Sequence, residues 1–451
     1  MKRRNILVLG GAGYIGCHTT LLLLQKGHHV TVIDIVDDPA YNGRRGALKA
    51  VEQLSGIHLG SEEFMFFAGN LQHTHFRSIK DSKQYLLADI IKQRKIDSCI
   101  DFAAFIEAGT SMMRPEDYLQ NNSITFIRIV PELYAAGVST IVKSSTAAVY
   151  GALHVNSGFS EEAVLTNNTE SALAAAKTQG GRKEGESLHR YLLHIIKRNI
   201  ASNQDLWDHI LSPSSLTRLR QPVNVYGWTK ALNEICLEFF SKKFSKNCCI
   251  LRYFNVWGVH PSTKLLEAHT PETHLIPKAM DCIARGKHTE HTLRKGDFLL
   301  LFGINYPTED GTCVRDYIHV MDLAHAHLKA LQAVGTFNLS LGHGYSNMEI
   351  LTYVTSAVEA RLIHLDKKDE GEKYKVKYKS NAPYELKLLD KQWGSEKALF
   401  VIDWEKRIGD PPELIANSSK AAEELGWKAF HKPTDVNCMK EVFLSRQSNG
   451  Y

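Results

Sequence analysis

The chain has 451 residues, of which 43% are hydrophobic and 23% charged, and carries a formal net charge of +5. This balance is too apolar for an intrinsically disordered chain and too mildly basic for a nucleic-acid-binding surface. The leucines at 21–24 run into Gln25 and Lys26, well short of the ~20 apolar residues of a spanning helix, so no membrane association is expected.

The opening "MKRRNILVLGG" passes from a basic flank into an apolar run that glycines interrupt too early for a signal-peptide core. Eight cysteines occur without a C-x-x-C, and the adjacent Cys248 and Cys249 are poorly placed to bridge each other. A reducing, cytoplasmic setting is expected. The β-branched runs "NILVLGG", "HHVTVIDI", "IDSCIDFAA" and "VSTIVKSSTAAVYG" alternate with the helical patterns "IGCHTTLLLLQKG" and "YLLADIIKQRK". Strands alternating with helices predict parallel βαβ units and an α/β fold with a doubly wound, Rossmann-like sheet covered on both faces.

Beyond about residue 258 the rhythm loosens into loops, His-rich stretches and isolated helices, the pattern of a second, smaller α/β substrate lobe. The division expected is 1–258 and 259–451, with the segment 315–335 packing back on the first domain. "VRDYIHVMDLAHAHLKALQ" is the clearest helix-bearing segment of the second part. Two stretches read as insertions. Residues about 160–220 combine a Gly/Lys/Glu hinge with one amphipathic helix around "LHRYLLHIIKR", which reads as solvated rather than partner-binding. Residues about 366–400 are dense in charge, and the period-two "YKVKYK" suits a solvated hairpin.

In "GGAGYIG", Gly11, Gly13 and Gly16 make a G-x-G-x-x-G, and Gly10, Gly13 and Gly16 a G-x-x-G-x-x-G, between the first strand and the first helix. Glycines there allow a tight turn and let the backbone approach a pyrophosphate at the helix N-terminus. The next strand ends at Asp34, 18 residues after Gly16, where an acid bonds an adenosine ribose 2′-hydroxyl and disfavours a 2′-phosphate. NAD is therefore expected over NADP. The competing reading is a glycine turn beside a surface aspartate.

"QPVNVYGWTKALNEI" places Tyr226 and Lys230 four apart at the start of a helical pattern, on one helix face. Lowering a tyrosine pKa from ~10 to near 7 takes about 4 kcal/mol. One cation at ~5 Å contributes on the order of 3 kcal/mol at an effective dielectric near 20, and an oxidised nicotinamide adds a second. The same spacing also describes a packed tyrosine with a solvated lysine. "KSSTAAVYG" ends a strand where ligands of doubly wound folds bind, so Thr146 is either a substrate hydroxyl partner or an ordinary cap.

"GGAGYIG", "KSSTAAVYG", "YGWTK", "LRYFNVWGVHP", "FGINYPTEDGTCVRDYIHVMDLAHAH" and "AAEELGW", in this order, closely resemble the UDP-glucose 4-epimerases, which are extended short-chain dehydrogenase/reductase proteins. The resemblance covers residues from about 5 to 155, 221 to 360 and 405 to 430. It implies a homodimer that reversibly converts UDP-glucose to UDP-galactose through a 4-keto sugar, with transient hydride transfer to tightly held NAD. Tyr226 would be the general base, Lys230 would hold the nicotinamide ribose and lower the tyrosine pKa, and Thr146 would stand at the family's catalytic Ser or Thr. Ala147 and Ala148 follow Thr146 where dehydratase relatives carry Asp-Glu, which favours epimerisation over elimination.

The same resemblance implies cofactor contacts from Gly10, Gly13, Tyr14, Ile15, Gly16, Asp34, Asn70, Leu71, Phe102, Ala103, Ala104, Asn121, Tyr226, Lys230 and Tyr253. It implies substrate contacts from Thr146 and Tyr226, with Asn255, His274 and Leu275 at phosphate and sugar. Phe302 would pack on uracil, Arg315 and Arg407 would meet the diphosphate, and Asp410 the ribose. Three positions depart from the family pattern: Ile106 replaces a cofactor-contacting lysine, Asn70 an adenine-side aspartate, and Leu414 stands where residue size sets acceptance of N-acetylated sugars. No metal is expected, because "HTH" at 73–75, "HTEH" at 288–291 and "HAH" at 325–327 lack partners at ligand spacing. The remaining alternatives are an epimerase for UDP-N-acetylhexosamines or UDP-pentoses, and a non-catalytic dinucleotide sensor or scaffold.

Overall fold

The β-branched runs pair as strands. In the computed structural model, β1 (Asn5–Leu9), β2 (His29–Asp34), β3 (Phe64–Ala68), β4 (His75–Ser78), β5 (Gln84–Leu86), β6 (Ser98–Asp101), β7 (Thr140–Thr146) and β8 (Asn247–Tyr253) join Gly335–Leu339 in one nine-stranded sheet. The described residues are 2–35, 44–151, 161, 187–265, 272–285, 292–294, 297–365, 374–379, 382–388, 397–407 and 410–448. The strand order is Gly335–Leu339, β8, β7, β6, β1, β2, β3, β4, β5. Every neighbouring pair is parallel except β3 with β4 and β4 with β5. The chain winds outward from β1 to β3 and again from β6 to β8, so its direction reverses between β1 and β6. A crevice opens there at the strands' carboxyl ends, where doubly wound sheets bind ligands. Ile6, Leu7, Val8 and Leu9 are each 0% exposed, as a central strand covered on both faces requires.

Five helices matter for the site: α1 (Tyr14–Gln25), α2 (Arg44–Ser55), α3 (Leu87–Gln93), α4 (Thr125–Ala135) and α5 (Val225–Phe244). Residues Gly16 to Leu24 of α1 are all buried, which places this helix between the sheet and α2. α5 starts at Asn224, whose side chain accepts from Gly227 N at 2.8 Å, and stops at Ser245 in a left-handed conformation with φ of 52°. The stretch "YLLADIIKQRK" is helical only from Leu87. Tyr85 pairs with Phe76 across β4 and β5, so edge pairing overrides the helical pattern there.

The insertion holds three helices among its described residues, not one: Leu188–Asn199, Gln204–Ile210 and Pro213–Arg220. Each begins at a polar side chain that caps a backbone N–H, from Ser187, Asn203 and Ser212. The second and third lie against α5. Much of the expected hinge, 162–186, lies outside the described residues.

The chain divides into two compact units. The first is Met1–Phe254 with Met321–Gly342 and Ala416–Ala429. Its late segments are held by the strand Gly335–Leu339 on β8 and by Trp427, whose indole N–H donates to Asp322 O at 2.9 Å. The second is Asn255–Val320 with His343–Ile415 and Phe430–Tyr451. In it, Phe298–Phe302, Ala398–Trp404 and Arg361–Leu365 form a parallel sheet around Phe298, Leu365 and Phe400. "VRDYIHVMDLAHAHLKALQ" splits into a strand, Val314–His319, and a helix, Val320–Ala330. The strand pairs in parallel with Asn255–Trp257 and Glu413–Leu414, so sheet partners decide its conformation. "YKVKYK" does form one arm of a hairpin, Tyr374–Lys379 against Ala382–Leu388.

Candidate active site

Glycines shape the dinucleotide end of the crevice because nothing larger fits. A Cβ on Gly16 would lie 2.1 Å from Gly10 O, and one on Gly10, whose φ is +76°, 3.0 Å from Ala103 N. The turn is thereby pressed against Phe102 and Ala103 while it opens α1. Gly13 precedes α1 with no side-chain cap, so a backbone-lined helix N-terminus faces the crevice. The carboxylate of Asp34 is buried and already engaged: Ala12 N donates to Oδ2 at 2.8 Å, Ile35 N donates to Oδ1 at 2.7 Å, and Arg44 pairs with Oδ1. Asp34 thus ties the glycine turn to the end of β2.

Farther along the crevice, Asn70 accepts from Gln72 N at 2.8 Å, and the carbonyl of Leu71 accepts from Arg128. Asn121 links Gln72 Nε2, at 3.3 Å, to Asn122 Oδ1, at 2.9 Å. Ile106 is 37% exposed and offers no charge. These groups suit a dinucleotide: a side-chain-free turn at a helix N-terminus, a buried acid at the end of β2, and side-chain amides beyond β3.

Tyr226 and Lys230 lie on the first turns of α5. Lys230 Nζ is 5.7 Å from the Tyr226 ring centre and donates to Ser144 O at 3.0 Å. Tyr226 hydrogen-bonds Thr146, whose Oγ1 also accepts from Ala148 N at 3.2 Å. Gly227 allows this approach, because a Cβ there would sit 2.5 Å from Ala148 O. Tyr226 is part-exposed, yet burial around its phenol pushes the pKa up to about 12, with the Thr146 bond opposing. Burial, with help from the nearby Lys143 cation, pulls the Lys230 amine down to about 7. The tyrosine therefore starts higher than the ordinary value, and one lysine falls short of the required stabilisation. Tyr253 turns its hydroxyl to Ser144 and its ring toward His327, which itself packs on Phe102 at 4.5 Å.

Several residues that organise this dyad escaped the sequence reading. Ser111 Oγ accepts from Tyr226 N at 3.0 Å. Asn122, buried, bonds both Phe105 N, at 2.8 Å, and Phe105 O, at 3.0 Å, and reaches Thr229 Oγ1 at 3.2 Å. Glu234, one turn beyond Lys230, accepts from Ser145 Oγ at 2.5 Å and pairs with Arg252 at 2.6 Å and with Arg218 of the insertion at 2.9 Å. These cations hold its pKa down at about 2 against the opposing effect of burial. Lys143 pairs with Asp101 at 2.5 Å. A charged residue inside each apolar run, "IVKSS" and "CIDFA", was the available signal.

A cleft in the second unit is lined by Asn255, His274, Leu275, Phe302, Arg315, Arg407 and Asp410. Arg407 lies over the Phe302 ring at 4.1 Å, and Arg315 approaches Asp410 at 3.5 Å. Asn255 Nδ2 donates to Asp316 O at 3.2 Å, and Glu272 fixes the backbone N–H of His274 at 3.0 Å. Leu414 pairs with Arg315 in the strand register. Two guanidiniums and an aromatic face beside a carboxylate suit a nucleoside diphosphate. Among the described residues no cluster of metal-ligating side chains occurs, and no helix is long and apolar enough to cross a membrane.

Residues 6–182 and 209–340 match the NAD dependent epimerase/dehydratase family. The chain is 30% identical to a UDP-glucose 4-epimerase of Streptococcus mutans over 429 residues, 94% of this chain and 91% of that protein. It is 29% identical to a UDP-glucose 4-epimerase of Lacticaseibacillus casei over 437 residues, 96% of this chain and 93% of that one. Among solved structures, UDP-glucose 4-epimerase from Bifidobacterium longum in complex with NAD+ and UDP superposes with a TM-score of 0.65 at 25% identity, covering 99% of each chain.

Proposed function

The chain belongs to the NAD dependent epimerase/dehydratase family, and we propose that it interconverts UDP-glucose and UDP-galactose by inverting the sugar at C4. The juxtaposition of Thr146, Tyr226 and Lys230 at the end of β7 carries this reading, because a dinucleotide sensor needs none of the three hydroxyl and amine groups together. Bound NAD supplies the acceptor and donor of the C4 hydride. Gly10, Gly13 and Gly16 would admit its pyrophosphate, and Tyr14, Ile15 and Asp34 would serve the same half. Asn70, Leu71 and Asn121 would flank the adenine, and Phe102, Ala103, Ala104 and Tyr253 would line the nicotinamide half.

Tyr226 takes the proton of the sugar 4-hydroxyl as C4 is oxidised to the ketone and returns it after the opposite face is reduced. Moving its pKa from about 12 to near 7 takes about 7 kcal/mol. A protonated Lys230 at ~5 Å would contribute on the order of 3 kcal/mol of this at an effective dielectric near 20, and bound oxidised NAD would add further positive charge to the site. Thr146 holds the same hydroxyl region by hydrogen bonding. The cleft of the second unit, lined by these residues, would take the UDP: Phe302 would stack on uracil, Asp410 meet the ribose, Arg315 and Arg407 the diphosphate, and Asn255, His274 and Leu275 phosphate and sugar. The reading includes a homodimer, which light scattering would test. A cytoplasmic setting is consistent with eight buried, unbridged cysteines.

The test is incubation of purified protein with UDP-glucose and, separately, UDP-N-acetylglucosamine, followed by chromatography of the products. UDP-galactose from the first sugar, abolished in Tyr226→Phe, supports the reading. A C4 epimer from the acetylated sugar alone redirects it to the N-acetylhexosamines, and no epimer from either sugar overturns it.

A further inference from the structure

Lys143 and Asp101 are the most deeply buried charged pair beside the dyad. Their side chains are 1% and 3% exposed, and Lys143 Nζ lies 2.5 Å from Asp101 Oδ2. Neither reaches the crevice surface, and nothing in the proposed chemistry calls for them. A buried ion pair of this kind is no better for stability than apolar packing, so its presence asks for a role.

The contacts of the pair point to one. The other oxygen of Asp101 accepts from Ala103 N at 2.9 Å, so Asp101 sets the turn Phe102–Ala104. That turn is the wall against which Gly10 packs. Lys143 belongs to β7, one residue before Ser144, whose carbonyl receives Lys230 and whose hydroxyl meets Tyr253. Its ammonium lies 4.3 Å from the Phe126 ring centre, on α4. The pair therefore joins β6, β7 and α4 at the point where cofactor wall and catalytic strand meet. We propose that Asp101 and Lys143 are positioning residues for the reaction, fastening the turn Phe102–Ala104 to the strand end that carries Ser144 and Thr146 and setting a second cation on the residue next to Ser144, whose carbonyl receives the Lys230 amine. This rests on reading Tyr226 and Lys230 as the catalytic dyad.

The charge balance follows from the groups around Lys230: Asp101 from β6, Lys143 from β7, Tyr253 of β8 on the shared Ser144, and Tyr226 and Glu234 from α5 itself. After burial, Lys143 is the largest influence lowering the Lys230 pKa, with Asp101 and Glu234 opposing. With Lys143 in place, Lys230 is close to losing its proton near neutrality. The amine is then responsive to the arrival of further charge in the site.

The experiment is a pH titration of the Lys230 ammonium by NMR in lysine-labelled protein, assigned with Lys230→Met, for wild type, Lys143→Met, Lys143→Arg and Lys143→Met with Asp101→Asn. Lys143→Met is expected to raise the Lys230 midpoint by about one pH unit, and Lys143→Arg to keep it at the wild-type value. The double variant, which leaves no unpaired charge to unfold the chain, is expected to raise it by less. The limb of the kcat profile that follows Lys230 moves with the midpoint. An unchanged midpoint in Lys143→Met and the double variant, or equal shifts in Lys143→Met and Lys143→Arg, overturns the proposal. Because the titration needs no turnover, its failure is distinct from failure of the dyad reading, which full activity in Tyr226→Phe would show.

Discussion

Replacing Lys230 with methionine should abolish turnover and yet stabilise the protein freed of dinucleotide. Lys230 is 2% exposed and its pKa falls from 10.5 to about 7, which corresponds to about 5 kcal/mol of disfavoured charge. Methionine fills similar volume without charge but leaves Ser144 O without its donor, at a cost of about 1–3 kcal/mol. The net expectation is a gain of roughly 2–4 kcal/mol, visible as a rise in Tm of a few °C. The sign depends on pH in a defined way. The folded-state pKa lies below the unfolded one, so between about 7 and 10.5 the unfolded chain binds more protons, and wild-type stability rises with pH through that window. The advantage of Lys230→Met should therefore be full below pH 7 and shrink steadily toward pH 10.5. Thermal unfolding at pH 6.5 and pH 9 measures this. A variant less stable than wild type at pH 6.5, or a difference independent of pH, would refute the account of Lys230 as a buried, destabilising cation.

Other perturbations follow from the same geometry. Gly16→Ala puts a methyl 2.1 Å from Gly10 O, so dinucleotide affinity, read by fluorescence titration, should drop at least about tenfold while the fold by circular dichroism persists. Arg407→Leu removes the cation over Phe302 and, on the proposed function, one diphosphate partner, and should weaken UDP binding by calorimetry about tenfold or more. Arg252→Met strips Glu234 of its shortest ion pair and should cost about 3–5 kcal/mol in urea unfolding. Wild-type stability from Glu234, whose pKa is held at about 2 rather than 4.5, is present above pH 4.5 and lost as pH falls toward 2; the variant should lose that part of its pH dependence.

Local chemistry made the glycine turn between β1 and α1 readable in advance. A glycine turn between a strand and a helix has few alternatives, because backbone proximity of the kind seen at Gly10 and Gly16 excludes every side chain. The four-residue spacing of Tyr226 and Lys230 likewise survives folding unchanged, since α5 carries it. The insertion was legible as an insertion but not as three helices, because its polar caps at Asn203 and Ser212 resemble loop residues until the helices find a surface on α5. Tyr85 went the other way, from helical pattern to strand, once β4 offered an edge.

By itself the sequence determined most of the order of strands and helices, the glycine turn between β1 and α1, and the side-chain types on hand to transfer a proton. These depend on neighbours within a few positions. Only the tertiary structure decided how those groups are charged. Asp101, Lys143 and Ser144 come from two strands 42 positions apart, and Glu234 meets Arg218 and Arg252 across still other segments. Burial is a property of the assembled sheet and helices, and it reversed the simplest expectation for the dyad, raising the tyrosine and lowering the lysine before any ligand arrives.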